Sequence, residues 1–198
     1  MRKHSLRHFC LALLLAVGLV LGSSLPTFAA PITYMEQAIG SGSLDGSSFF
    51  DRLVTITFVG DTSTVTGSAG FFTNSVGTAT VSVAGVGSDT LTNAFVFVNQ
   101  GWTPAAAVGF GDNMAGGSIL DTLHSAFASY DLTTAIGPQT GSTFYRNDLT
   151  FATGSGTFHL DLAGDSTFTA TTVPLPSALL LLGPGLVGLI GIRKRLQK

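Results

Sequence analysis

The fold class follows from one segment, Thr157-Phe-His-Leu-Asp-Leu-Ala-Gly-Asp-Ser-Thr-Phe-Thr-Ala170. Here Phe158, Leu160 and Leu162 alternate with polar residues, and the alternation resumes at Phe168. A period of two indicates β-strands with one face buried and the other in solvent. The Gly-Asp pair in the middle predicts a two-residue hairpin turn between two strands.

The same alternation recurs between residues 30 and 172. Val54, Ile56 and Phe58 form one run, and shorter runs lie at residues 79–83 and 95–97. The Gly60-Asp61 pair repeats the hairpin signal after the first of these runs. The pattern predicts an all-β fold, an antiparallel β-sandwich of jelly-roll-like type with roughly eight strands.

Two glycine-rich segments interrupt the alternation. Residues 101–117 and 137–147 are predicted to be irregular connections, because glycine is a common breaker of regular structure. Between them, residues 118–125 favour a short helix or loop, followed by a strand that ends before Gly137-Pro138.

Charge separates the two ends of the chain from its middle. Residues 30–172 contain all eleven acidic residues but only Arg52 and Arg146, which gives 2 − 11 = −9. Nucleic-acid binding requires a basic surface, so we exclude nucleic acid as a partner. The only cysteine, Cys10, lies near the amino terminus, so the remainder of the chain has no thiol for catalysis or zinc binding.

Catalytic candidates are few. His124 follows Asp121 by three residues and precedes Ser125, but no G-x-S-x-G pattern surrounds it. His159 lies beside Asp161 on the polar face of a predicted strand. We interpret both histidines as solvated surface residues. The sequence therefore predicts no enzyme, no catalytic residue, no metal site and no cofactor.

Two ligand classes remain open alternatives. Calcium would need several oxygen ligands from turns, and the aspartates at such positions are Asp45, Asp61, Asp112 and Asp165. Carbohydrate would need an aromatic stacking surface, and the residues available for it are Trp102, Tyr34, Tyr130 and Tyr145. Asp at turns is also favoured for backbone reasons alone.

The first 29 residues have the layout of a secretory signal peptide. A basic start is followed by an apolar run at residues 11–21 and then by small residues. We place the cleavage between Ala29 and Ala30, which leaves Ala30 as the first residue of the exported domain at residues 30–172. An uncleaved amino-terminal anchor is the alternative.

Residues 173–198 form a three-part carboxy-terminal segment. It consists of Val173-Pro174-Leu175-Pro176-Ser177, an apolar run to Ile192, and the basic cluster Arg193-Lys194-Arg195. The prolines keep the junction extended. As a helix, the apolar run would be about 24 Å long, short of the roughly 30 Å hydrocarbon core. The basic cluster is expected to stay cytoplasmic. A plain membrane anchor is the alternative interpretation.

This segment resembles the PEP-CTERM sorting signal of exported bacterial proteins. Leu175 stands where that family's name-giving glutamate is usual, and Pro184 interrupts the apolar run. The resemblance implies recognition by an exosortase, cleavage near the Pro-x-Pro motif, and transfer of the body to the surface of a Gram-negative bacterium.

Taken together, these features predict a non-enzymatic cell-surface or extracellular-matrix protein. The resemblance implies that its partners are an exosortase, the membrane before processing, and exopolysaccharide or biofilm. A secreted carbohydrate-binding module or polysaccharide hydrolase with the same sorting signal is the alternative.

Overall fold

The computed structural model describes residues 30–172. The predicted signal peptide, the sorting motif at 173–177 and the basic cluster at 193–195 lie outside the described residues. Two short 3₁₀ turns occupy Thr62–Thr64 and Ser125–Ser129. The strands, in chain order, are β1 (Pro31–Leu44), β2 (Ser47–Asp61), β3 (Thr66–Ser68), β4 (Phe71–Asn74), β5 (Gly77–Val83), β6 (Gly87–Leu91), β7 (Ala94–Asn99), β8 (Ala107–Asp112), β9 (Gly117–Leu123), β10 (Ile136–Phe144), β11 (Phe151–Ala152) and β12 (Thr157–Thr172).

All strand pairs are antiparallel and belong to one curled sheet. Hydrogen-bonded neighbours follow the order β3-β4-β7-β8-β9-β10-β12-β1-β2-β5-β6, and β11 pairs with β12. Leu91, the last residue of β6, forms a β-bridge with Thr153 beside β11, so this end of the sheet curls back towards β12. The predicted all-β, sandwich-like fold is confirmed. The strand order differs from the two four-stranded sheets of a jelly roll.

One hydrophobic core lies inside the curl. Val54, Ile56 and Phe58 are fully buried on β2, as the alternation predicts, and they cluster with Phe110 from β8 and Phe168 from β12. Strands from distant parts of the order therefore share one core. No helix within residues 30–172 is long and apolar enough to cross a membrane.

The two predicted Gly-Asp hairpins are wrong. Gly164 and Asp165 lie within the continuous strand β12, at an irregularity between Ala163 and Ser166, both of which pair with β1. The pairing with β1 shifts register twice in this region, and these irregularities leave Leu162 61% exposed instead of buried. Gly60 likewise pairs on both sides, with β1 and β5, and Asp61 ends β2 as the cap of a 3₁₀ turn.

The predicted irregular segments are irregular only in part, at residues 101–106, 113–116 and 145–147. They contain the strands β8 and β10, residues 117–123 form β9, and the strand expected after residue 127 is absent from the described chain. Glycine is needed in β8 because a Cβ at Gly109 would lie 2.3 Å from the Leu120 carbonyl oxygen. These glycines allow close packing instead of ending strands. Residues 30–172 contain twelve strands instead of the roughly eight predicted.

Candidate functional site

The His124 side chain is engaged in a local hydrogen bond. Its Nδ1 accepts a hydrogen bond of 3.1 Å from the Ala126 backbone N–H and caps the turn Ser125–Ser129. Its ring lies edge-on to Phe127, with centroids 6.0 Å apart. Among the hydrogen bonds of residues 30–172, none joins His124 to Asp121 or Ser125. This geometry gives no support to a Ser/His/Asp relay.

His159 is also held in place by its neighbours. One ring nitrogen lies 2.7 Å from the Leu149 carbonyl oxygen, and Nε2 lies 3.0 Å from Asp161 Oδ1. These contacts fasten the loop that precedes β11 to β12. These contacts are those of a structural residue that links a loop to a strand.

Three of the four aspartates considered as calcium ligands accept hydrogen bonds within the fold. Asp61 Oδ1 accepts from the Ser63 N–H at 2.7 Å, and Asp112 Oδ1 accepts from two consecutive N–H groups in the loop after β8. Asp45 bonds Thr153, whereas Asp165 is exposed on β12. Across residues 30–172, no group of three or more His, Cys, Asp or Glu side chains is arranged to hold a metal ion.

Tyr34 and Tyr130 belong to the core and do not form a platform with Trp102. Both are buried, and their hydroxyls donate to the carbonyls of Leu132 (2.7 Å) and Thr134 (3.0 Å). Burial raises the pKa of Tyr34 to about 12, and it also raises the pKa of Tyr130. Two of the four residues considered for a sugar-stacking surface are therefore core residues and are not available for it.

Trp102 instead borders a pocket on the outer face of the sheet, which we call the aromatic pocket. Its volume is about 320 Å³. The aromatic residues that line it are Phe71, Phe95, Phe97 and Trp102. The polar residues that line it are Asn99, Asp112, Asn113 and Ser118. Val96 and Val98, which alternate with the β7 phenylalanines, face the core on the other side of the same strand.

The phenylalanines form a ladder across β4 and β7. The ring centroids of Phe71 and Phe97 are 6.0 Å apart, as are those of Phe95 and Phe97. Phe71 is 45% exposed and Trp102 is 37% exposed, so apolar ring surface is open to solvent. A Cβ at Gly111 would lie 2.6 Å from the Phe95 ring, so glycine makes room for this ring on the sheet.

The polar end of the pocket contains a carboxylate that is only partly satisfied. Asp112 is 2% exposed, and its Oδ1 accepts 2.7 Å bonds from the N–H groups of Met114 and Ala115. Its Oδ2 is buried and has no hydrogen-bond partner among the described residues. Asn99 Oδ1 accepts from the Gly101 N–H at 3.1 Å, which fixes the residue at the edge of the ring ladder.

One feature of the sequence indicates a second apolar surface at this place. The run Phe95-Val-Phe-Val98 is apolar on both faces of a strand, and a strand that is apolar on both faces has two surfaces to cover. The core covers only the valine face. Other residues that line the pocket, such as Gly111 and Asp112 of β8, lie within residues 101–117, for which the sequence predicts an irregular connection.

A second polar cluster is closed to solvent. Glu36 Oε1 lies 2.6 Å from the Thr122 hydroxyl, which lies 2.7 Å from the Ser166 hydroxyl. Burial, and secondarily the charge of Asp121, raises the pKa of Glu36 well above its ordinary value, and burial raises that of Asp121. Both acids are almost fully buried, so the cluster has no access for a substrate.

No protein-family model matches this chain, and no curated protein or solved structure matches it either.

Proposed function

We propose that the chain is a non-enzymatic exported protein of the cell surface or extracellular matrix, associated with exopolysaccharide or biofilm. An exosortase sorts it through residues 173–198 after a signal peptide at residues 1–29 has taken it across the inner membrane. The observation that carries the proposal is the order of the Pro-x-Pro motif, the apolar run and the Arg193-Lys194-Arg195 cluster directly after the folded domain.

The position of the last strand supports this order of events. β12 ends at Thr172, where it pairs with Ile32 near the start of β1. Pro174 and Pro176 therefore follow the last ladder position by two and four residues. A protease that cuts near this motif would not need to open the sheet.

The described side chains also favour a binding or structural role over catalysis. His124 and His159 are each engaged in local structure, and Asp112 is the one acid among the residues that line the aromatic pocket. Glycoside hydrolysis commonly uses two carboxyl groups, one on each side of the scissile bond. Of the alternative functions, the aromatic pocket favours a carbohydrate-binding module over a hydrolase.

Intact mass spectrometry of the protein from the surface and medium of its native host tests the sorting proposal. We expect a species that begins at Ala30 and ends near Pro176, with added mass wherever the body is glycosylated. A Pro174→Ala, Pro176→Ala double variant is expected to remain in the membrane fraction with its basic tail. Retention of residues 193–198 in the unaltered protein would make it a plain anchored protein and overturn the proposal.

A further inference from the structure

We propose that the aromatic pocket binds a neutral sugar unit of a polysaccharide. The exposed faces of Phe71 and Trp102 contact the C–H face of the sugar ring, and the polar end of the pocket hydrogen-bonds its hydroxyls. This inference deepens the proposed association with exopolysaccharide, on which it rests for the source of the ligand. The site itself is argued from the structure.

The ring ladder supplies the first argument. Phe71, Phe97 and Phe95 lie side by side at 6.0 Å spacings. Phe71 leaves part of its ring open to water, whereas Phe97 is buried beneath it in the ladder. Ligand sites are typically concave, mostly apolar, and supplied with a few polar groups that fix orientation. A pyranose ring has an apolar C–H face and a rim of hydroxyls, which matches an aromatic wall bordered by polar side chains.

Asp112 supplies the second argument. Its Oδ1 is saturated by the loop that it holds, whereas its buried Oδ2 has no partner within residues 30–172. A buried oxygen without a donor calls for a physical explanation. Because Oδ2 itself is enclosed, a sugar hydroxyl reaches it only when the loop that Asp112 holds shifts on binding. Asn113 and Ser118 line the same pocket and are available to the neighbouring hydroxyls.

Charge and volume narrow the class of sugar. Residues 30–172 carry a formal charge of 2 − 11 = −9, and Arg52 and Arg146 do not line the pocket. An anionic polysaccharide would be repelled by such a domain. A volume of about 320 Å³ lies at the small end of the usual range for ligand sites, about 300 to 1,000 Å³. The pocket therefore suits one neutral unit of a longer chain.

Fluorescence provides the test, because Trp102 is the single tryptophan of the chain. The full chain, purified in a detergent without a sugar headgroup, is titrated with cellohexaose, maltohexaose, laminarihexaose and mannohexaose. An alginate hexamer serves as the anionic comparison. We expect a saturable change in tryptophan emission with at least one neutral hexasaccharide and none with alginate.

Two matched variants locate the binding. Phe71→Ala removes an exposed ring from the pocket and is expected to weaken binding about tenfold, the usual scale for loss of an aromatic anchor. Phe50→Ala removes a ring that is 72% exposed on β2, does not line the pocket, and is expected to leave the affinity unchanged. Asp112→Asn keeps a side-chain oxygen that can accept the loop hydrogen bonds but replaces the second oxygen with a donor. Its sugar affinity is measured in case Phe71→Ala does not fold.

Several results would overturn the inference. They are no response to any neutral hexasaccharide, a response to alginate alone, or equal losses in Phe71→Ala and Phe50→Ala. A change of emission with protein concentration in the absence of sugar would show that a second copy occupies the pocket. Failure of sugar binding leaves the mass-spectrometric test of sorting untouched, so the two proposals fail separately.

Discussion

Glu36 shows how a single residue can make the whole domain sensitive to pH. It is fully buried on β1, Thr122 contacts only one of its oxygens, and Oε2 has no partner in the described chain. Burial disfavours the charged form of a carboxyl group. The fold keeps this group protonated at pH values where the unfolded chain has already lost the proton.

We expect Glu36→Gln to flatten the dependence of stability on pH. Because the pKa of Glu36 is raised in the folded state, its contribution is fully present below the pKa of the unfolded chain. That contribution is lost as pH rises towards the folded pKa. Urea unfolding measured from about pH 4 to about pH 8 checks this slope. At neutral pH we expect the variant to be more stable by about 1–3 kcal/mol.

Asp165→Asn is the matched control for this change, because Asp165 is exposed on β12. It should leave the pH profile of the unaltered protein as it is. Parallel profiles for Glu36→Gln and the unaltered protein would contradict the assignment of the buried acid as the pH-sensitive group.

The hydroxyl of Tyr34 gives a second prediction for a single residue. It donates a 2.7 Å hydrogen bond to the carbonyl of Leu132, whose backbone is left-handed with φ of 68°. Tyr34→Phe would leave that carbonyl without its donor, so we expect a loss of about 1–3 kcal/mol in the free energy of unfolding. Chemical denaturation of the variant and of the unaltered protein measures it.

Tyr145→Phe is the control for Tyr34→Phe. The Tyr145 hydroxyl makes only a 3.4 Å contact with the Asp161 carbonyl at the surface, and its loss should change stability by less than about 0.5 kcal/mol. Equal effects of the two changes would show that the Tyr34 bond is not a tertiary link.

Among the elements, β12 holds the sheet together. It pairs with β1 along its length, with β10 at its carboxyl end and with β11 at its amino end. A strand with neighbours on both sides has most of its backbone groups satisfied by the ladder. Gly164 and Asp165 have no ladder partner of their own, but the paired residues on either side, Ala163 and Ser166, hold them in an extended β-bulge although their sequence favours a turn.

Substitutions at two glycines on neighbouring strands test whether residues 164–165 form a hairpin turn or part of a continuous strand. Gly164 does not have a left-handed backbone, and the nearest atom to a Cβ there would be the Ile39 carbonyl oxygen at 3.7 Å. Gly164→Ala should therefore change stability by less than about 0.5 kcal/mol. A hairpin at this position would need glycine for its turn, and a large loss would contradict the continuous strand.

Gly141→Ala should behave in the opposite way. A Cβ there would lie 2.0 Å from the Leu123 carbonyl oxygen, at the point where β10 passes from β12 to β9. Backbone cannot yield as a flexible side chain can, so we expect a loss of about 1–3 kcal/mol. Thermal and urea unfolding of the two glycine variants, measured side by side, give the comparison.

The alternation of side chains was a sufficient signal for the fold class but not for the topology. Val54, Ile56 and Phe58 are buried as predicted, because a period of two directly reports a half-buried strand. A glycine, in contrast, does not by itself indicate whether its segment is a strand or a turn. Gly109 and Gly141 allow close strand approach, while Gly46 lies in a true turn with φ of 80°. Local sequence does not distinguish these uses.

The candidate site was less predictable than the fold. Trp102 was identified as a candidate for sugar binding, but its supposed partners Tyr34 and Tyr130 are core residues. The actual neighbours, Phe71 and Phe97, come from strands whose adjacency depends on a pairing between β4 and β7. A non-local pairing of this kind is not encoded in the periodicity of either strand.

At the scale of the whole molecule, the first and last strands are adjacent. This adjacency determines where the chain can be shortened without opening the sheet. Thr172 at the end of β12 lies opposite Ile32 on β1. The two ends of the domain therefore leave from the same side of the sheet. The six residues before this exit include Phe168 and Ala170, which are buried in the core.

This arrangement predicts a sharp boundary for tolerated truncation. A chain of residues 30–172 should unfold cooperatively in urea, because every described strand is retained. A chain of residues 30–166 loses the end of β12, including the buried Phe168, which contacts Tyr34, Phe127 and Tyr130. Loss of a buried phenylalanine side chain alone typically costs about 3–5 kcal/mol. Such a loss is a large fraction of the stability of a small domain, about 5–15 kcal/mol. We therefore expect the shorter chain to lose its cooperative transition in circular dichroism.

Equal unfolding of the two chains would mean that β12 closes the sheet less than its pairing indicates, and that a sorting cut inside the strand would be tolerated.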